Sequence, residues 1–346
     1  MITVIPLTEG TVGALAGAYA RFATDAVAQY HWRSEPAPFE DMARSIASGA
    51  LCGLMAQDAE GEPVGWMLYV VEAHRAVEIN LIAIDEHQAL KPAFDALMRG
   101  LLQTLATRDD WDCVSYAMLG CQDRYASLAP WYGLMPVGQT IQRFNLADEI
   151  SIPILAKHYH SLAPLPEDLR LSPWLPDLAE AAAEAIAEAF ARSNDARWDP
   201  RFRSVAGARQ AVAFLQEGRM GAVMPQASLM LLNRAGAVEG FCFLIQGDGM
   251  DANVPLIGVR PSLRHRGMGI RLLACSLVAM IERISAGEAF ISEVTATVDT
   301  DNYFALKMYR KLGFQETVHY PHAWLDRQSV ARSYYGRRLA AYAGFA

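Results

Sequence analysis

The chain has 346 residues, which at roughly 150 residues per domain suggests two domains, and its 30 Lys and Arg against 38 Asp and Glu give a net charge of −8. Apolar residues make up 52% and charged residues 20%, which excludes a largely disordered or collagen-like chain. The acidic balance argues against non-specific nucleic-acid binding and suits a cationic or neutral small partner, and no apolar run approaches the roughly 18 to 20 residues of a membrane-spanning helix. The opening MITVIPLTEG lacks the basic region and apolar core of a signal peptide, so a cytoplasmic protein is expected. Cys52, Cys113, Cys121, Cys242 and Cys275 are odd in number and without CxxC spacing. Neither a disulfide framework nor a metal site is expected, and each reads as a small buried hydrophobe.

In chain order, ITVIPL reads as a strand, Thr11–Ala28 as a helix and Phe39–Ser48 as a second helix. LCGLMAQ and PVGWMLYVV read as a hairpin around DAEGE. INLIAI is a strand, Ala93–Ala106 a helix and CVSYAML a strand; a short segment at Ala126–Leu134 precedes the strand VGQTIQRFNL. The stretch 151–168, with SLAPLPEDL, has the Pro punctuation of a linker, and HYH at His158–His160 falls in it. The order then repeats. LRLSPWLP is a strand, the Ala- and Glu-rich DLAEAAAEAIAEAFARS a strong helix, and Ala206–Glu217 a second helix. ASLMLLNR and VEGFCFLIQ form a hairpin around RAGA, and VPLIGV is a buried strand. Gly267–Ser285 is a helix, AFISEVTATV a strand, NYFALKMYRKL a helix, and FQETVHY with HAWLDR a closing strand pair. The tail 328–346 has helical spacing with mixed basic and aromatic residues, which suits packing on the surface or at a subunit contact.

The two halves also align without gaps where Leu81–Met98 lies over Leu256–Leu273, so two copies of one fold are expected, 1–150 and 169–327. In the second copy VPLIGV runs into Arg264-His265-Arg266-Gly267-Met268-Gly269 and a helix begins at once. A glycine turn at a helix N-terminus points several free backbone N–H groups at one spot, and the helix dipole adds positive potential. Glycine lets the main chain approach an anion, and Arg264 and Arg266 add charge suited to a pyrophosphate. Neither GK[ST] nor GxGxxG is present, so this is not a P-loop or a dinucleotide fingerprint. Downstream, Asn302 can cap a helix that closes at Gly313, with Phe304, Ala305, Met308, Tyr309 and Leu312 on one face.

The order R-x-x-G-x-G followed by N-x-x-A-x-x-M-Y-x-x-x-G-F resembles the GNAT family of acyl-CoA N-acyltransferases over Leu169–Arg327. The tandem layout is similar to the two-domain acetyltransferases of the mycothiol synthase type. The resemblance implies an α/β (α+β) fold of two tandem GNAT-like domains, each a mixed, mostly antiparallel sheet flanked by helices. It implies acetyl-CoA as co-substrate, no metal, and direct acetyl transfer to a primary amine of a small molecule by a monomer or homodimer. Ile257, Gly258 and Val259 would lend backbone groups to the pantetheine arm, and an N–H near Val259 would hold the oxyanion. Arg264, His265, Arg266, Gly267, Met268, Gly269 and Ile270 would hold the pyrophosphate. Asn302 would contact the cofactor arm, and Tyr309 would face the thioester sulfur as proton donor.

The family's glutamate base would fall at Asn253, which cannot act as one. Asp251 and Glu293, with Glu239 and Asp248 nearby, are the remaining carboxylates, and a water chain or a neutral amine are the alternatives. In the first copy Arg264, Gly267 and Gly269 fall on Ala89, Pro92 and Phe94, so no acyl-CoA site is expected there. Asn302 and Tyr309 fall on Asp123 and Pro130, with Trp131 or Tyr132 one slip away, and Glu78 takes the base-like position. That copy would pack on the second and shape the acceptor pocket. A protein lysine or N-terminal acetyltransferase, and a non-catalytic acyl-CoA-binding regulator, are the rival readings.

Overall fold

A computed structural model describes residues 2–30, 37–85, 90–247 and 249–330. Ala89, Asp248 and most of the expected helical tail lie outside these described residues. The chain divides into two compact units whose limits differ from the expected 1–150, 151–168 and 169–327. Unit 1 is Met1–Gly138 with Arg197–Pro200 and the segment from Tyr320 onward; unit 2 is Gln139–Ala196 with Arg201–His319. The boundary shifts because the last strand of each half serves in the other half's unit.

Unit 1 begins with strand β1 (Thr3–Pro6), helix α1 (Ala16–Tyr30) and helix α2 (Phe39–Ala47). Strands β2 (Cys52–Gln57), β3 (Pro63–Val71) and β4 (Ala76–Ile84) form an antiparallel meander, and β1 pairs with β2. Helix α3 (Leu90–Ala106) buries Phe94, Leu97, Met98 and Leu101 against the sheet, as its apolar spacing requires. Strand β5 (Cys113–Ala117) joins β4 in parallel. Two short 3₁₀ turns, Gln122–Tyr125 and Ala129–Tyr132, stand where the second half has a helix. The other edge of β5 is closed by residues 322–326.

Strand β6 (Met135–Asn145) passes into unit 2. Helix α4 (Ser151–His160) occupies most of the expected linker; Leu155 is buried in the unit 2 core, which makes His158–His160 the end of a helix. There follow β7 (Leu169–Pro173), α5 (Ala179–Phe190), α6 (Asp195–Trp198), α7 (Val205–Gln216), β8 (Ala222–Val223), β9 (Leu229–Asn233) and β10 (Val238–Gln246). Then come β11 (Asp251–Val259), α8 (Met268–Ser285), β12 (Glu293–Asp299), α9 (Tyr303–Lys311), β13 (Gln315–Asp326) and a last turn, α10 (Arg327–Val330). The unit 2 sheet runs β6, β12, β11, β10, β9, β7, with β11 and β12 parallel and the other pairs of this path antiparallel. Helix α8 buries Leu272, Leu273 and Leu277 on one face of it, and the alanine-rich α5 packs with α7 on the other.

Two further expectations change. FQETVHY and HAWLDR are one unbroken twelve-residue strand, β13, rather than a pair. Pro321 does not end it: the Pro321 carbonyl accepts from the Met118 N–H at 2.9 Å, and a missing N–H on Pro321 costs no bond to that neighbour. The cysteines are not uniformly buried, since Cys121 is exposed and left-handed at φ 62 ahead of a 3₁₀ turn.

Candidate active site

Strand β11 pairs along its length with β10, but with β12 only over Asp251–Asn253 against Glu293–Thr295. Past Asn253 the two parallel strands part, which leaves one side of Val254–Val259 without β12 as a partner. A cleft of about 910 Å³ opens there. Ile257, Gly258 and Val259 line it. Gly258 permits this wall to close up, since a Cβ would sit 2.8 Å from the Phe241 ring and 3.1 Å from the Ala189 methyl of α5.

Beyond β11, a 3₁₀ turn at Pro261–Leu263 leads through His265 (φ 60) to Gly267 (φ 78), the N-cap of α8. No side chain caps this helix. The first intrahelical bond runs from the Arg271 N–H to the Gly267 carbonyl at 3.1 Å, so the amides of Met268, Gly269 and Ile270 precede the helical ladder. Those three residues, with Arg264, His265 and Gly267, line the cleft. Arg264 donates to the Ala189 carbonyl at 2.6 Å, which ties the turn to α5. Arg266 is exposed and outside the lining. Two cations that the motif reading passed over, Lys307 and Lys311, face the cleft from α9. Their i,i+4 spacing on a helix capped by Asn302 was the available signal.

Asn302 lines the cleft, and its Oδ1 accepts the Ala305 N–H at 3.2 Å as a helix cap. The buried face of α9 is Leu306 and Tyr309, continued by Leu312. Phe304 is exposed and meets the His265 ring edge-on at 4.6 Å. Tyr309 is 2% exposed within the core beside Phe314, at 4.9 Å between ring centroids, and is not in the cleft lining. Burial, with the Cys242 thiol nearby, holds its phenol above the usual 10.

Asp251 and Glu293 are not brought to the cleft. They pair across the far end of β11 and β12, and a nine-residue strand at roughly 3.3 Å per residue puts Asp251 about 26 Å from Val259. Glu293 is buried and bridged to Arg143 at 3.2 Å, a structural pair. Asn253 donates to the Thr295 hydroxyl at 3.0 Å. Glu239 accepts from Asn233 at 2.7 Å in the β9–β10 hairpin. Three other carboxylates do line the cleft: Asp195, Asp299 and Asp301. Asp299, at the open end of β12, is buried and accepts from Gln139 at 3.2 Å and Asn194 at 3.1 Å. Asn194 also reaches Asp301 at 3.2 Å. Desolvation pushes the Asp299 carboxyl above the usual carboxylate range against the lowering effect of its two hydrogen bonds. The segment VDTDN gave no cue to this, because burial by α5–α6 residues is a long-range property.

Unit 1 repeats the parting of strands and fills the gap. Here β4 and β5 pair over Ala76–Ile79 against Cys113–Tyr116 and then part. The Gln122 Oε1 accepts the Ile82 N–H at 2.6 Å and the Tyr116 hydroxyl at 2.8 Å, while Arg124 donates to the Ile84 carbonyl at 3.2 Å. In the gapless alignment Ile82 and Ile84 lie over Ile257 and Val259. Counting back from the left-handed Gly133 and Gly313 pairs Gln122, rather than Asp123, with Asn302. Phe94 is fully buried and stacks on Tyr125 at 5.5 Å, and Tyr132 donates to the Asp95 carboxylate. Glu78 stands 4.0 Å from His74.

Comparison with known proteins places these features. The family model for FR47-like proteins matches residues 248–324, the span from β11 to β13. The mycothiol acetyltransferase of Clavibacter sepedonicus is 27% identical over 286 residues, 82% of this chain and 84% of that protein. A GCN5-related N-acetyltransferase from Sphaerobacter thermophilus superposes with a TM-score of 0.62 at 16% identity, covering 94% of this chain and 95% of that one. A tandem GNAT protein from the clavulanic acid biosynthesis pathway does so with a TM-score of 0.54 at 16% identity, covering 94% and 98%. With the parted strands, the glycine turn and the capped α9 in place, the chain has the tandem GNAT fold, and its residues 248–324 match the FR47-like family.

Proposed function

We propose that unit 2 transfers an acetyl group from acetyl-CoA to a primary amine of a small-molecule acceptor. The observation that carries this is the row of amides at Met268, Gly269 and Ile270, in a cleft that Ile257, Gly258 and Val259 of β11 also line. The residues present suit the co-substrate. The α8 amides with Lys307 and Lys311 would take the phosphates, and Ile257–Val259 would take the amide-bearing arm. The thioester supplies the activated acyl group. A β11 N–H at Val259 would hold the charge that develops on the carbonyl oxygen. Tyr309 is buried outside the cleft lining, so it would donate to the departing sulfur only where the acyl arm reaches the core face of α9. A relative named as a mycothiol acetyltransferase supports a small acceptor, and no helix among the described residues is long and apolar enough to cross a membrane.

The test is free-thiol release from acetyl-CoA with a panel of primary amines, alongside calorimetric binding of coenzyme A. Arg264→Ala combined with Gly267→Pro is expected to lower coenzyme A affinity at least tenfold while far-UV circular dichroism stays native. Unchanged affinity would sink the assignment of the turn as the phosphate cradle.

A further inference from the structure

The cleft is electrically divided. Arg264, His265, Lys307 and Lys311 stand on the turn and α9, while Asp195 and Asp301 stand with Asp299 where the α5–α6 segment meets the end of β12. Arg192 is the cation in that second wall. Val294, Ala296 and Val298 pack in the core with α8, so strand alternation puts Asp299 on the opposite face of the sheet, the side of α5 and Asn194. Gln139 and Asn194 donate to its two oxygens and fix the carboxylate in place.

We propose that Asp299 takes the proton from the acceptor's ammonium group, and that the acceptor enters the cleft as a cation held by Asp299 and Asp301. This rests on the acetyl-transfer reading. An ammonium has no lone pair, so one proton must leave before nitrogen can attack. Asp299 accepts that proton, the freed amine forms the C–N bond at the acetyl carbonyl, and the C–S bond breaks. The second proton lost by nitrogen goes to the departing thiolate, and Asp299 returns its own to solvent, so atoms and charge balance. A carboxyl raised above its usual range is a stronger base than a free one, which favours the transfer. Burial keeps it raised, with Asp301 adding to the effect, and Arg192 lines the same cleft, so the acid limb of the rate profile belongs to this wall of the cleft.

The experiment uses the full chain, with putrescine and glucosamine as probes. Coenzyme A binding is measured first. Failure of wild-type protein to bind it would overturn the acetyl-transfer reading itself. If coenzyme A binds, amine binding and acetyl transfer are followed from pH 5 to 9 in wild type, Asp299→Asn and Asp299→Glu. The expected result for Asp299→Asn is coenzyme A affinity within about twofold of wild type, an unchanged or higher Tm, and amine binding weakened at least tenfold. Its kcat is expected to fall about 100-fold or more with loss of the acid limb, and Asp299→Glu to restore part of both. Wild-type protein that binds coenzyme A but neither amine, or an Asp299→Asn variant with a wild-type rate and acid limb, would overturn the proposal.

Discussion

Gly267 takes φ 78 with nothing within 4 Å of an added Cβ, so its constraint is conformational and not spatial. An alanine there costs on the order of 1 kcal/mol in the left-handed region, and the turn can relieve that strain only by rotating the α8 amides away. Gly267→Ala is therefore expected to weaken coenzyme A binding about 5- to 10-fold, read by calorimetry. Tyr309→Phe keeps the ring against Phe314 and removes the hydroxyl. If that hydroxyl serves the sulfur, kcat falls about 10- to 100-fold with coenzyme A affinity unchanged; equal kcat would make Tyr309 a packing residue alone. The glycine turn and the Asn302 cap were legible in the sequence because motif residues sit close together in the chain, whereas Tyr309, expected to face the thioester, lies in the core. Lys307 and Lys311 carried a signal only in their i,i+4 spacing, and Asp299 carried none, since its place in the cleft comes from the remote surface it faces.

At the scale of elements, apolar periodicity placed nearly every strand and helix, and the hairpins at DAEGE and RAGA paired as their turn residues require. Pairing partners were the failure. Nothing local in FQETVHY or HAWLDR tells which sheet edge each will meet, and Pro321 disguised their continuity. The same strand carries a pH response. His322 is buried, its Nε2 is 2.8 Å from the Ser115 hydroxyl, and burial lowers its pKa from 6.5 to about 4. Between those values the unfolded chain binds more protons than the folded one. The stabilisation is thus complete above pH 6.5 and lost as pH falls toward 4, by on the order of 3 kcal/mol. Urea melts of His322→Gln are expected to show a shallower loss of stability over that window than wild type.

For the molecule as a whole, the composition and repeat order were enough to suggest a duplicated fold, but not which segments share a unit. Gln122 and Arg124 already hold, in unit 1, the main-chain groups that align with Ile257 and Val259. Calorimetry is accordingly expected to give one coenzyme A per chain, and Gln122→Ala to leave that stoichiometry at one, because Pro92 and Phe94 still replace the glycines. Two equivalents in wild type would contradict this.

Residues 139–145 pair with every position of β12 from Glu293 to Asp299, and residues 322–326 pair with β5. Severing the gene at its apparent midpoint would therefore strip a border strand from both products, and neither fragment should melt cooperatively by itself. Such reciprocal lending bears on ancestry. Deletion of either duplicate is barred while its sibling's sheet depends on it, so purifying selection for folding alone is enough to retain both.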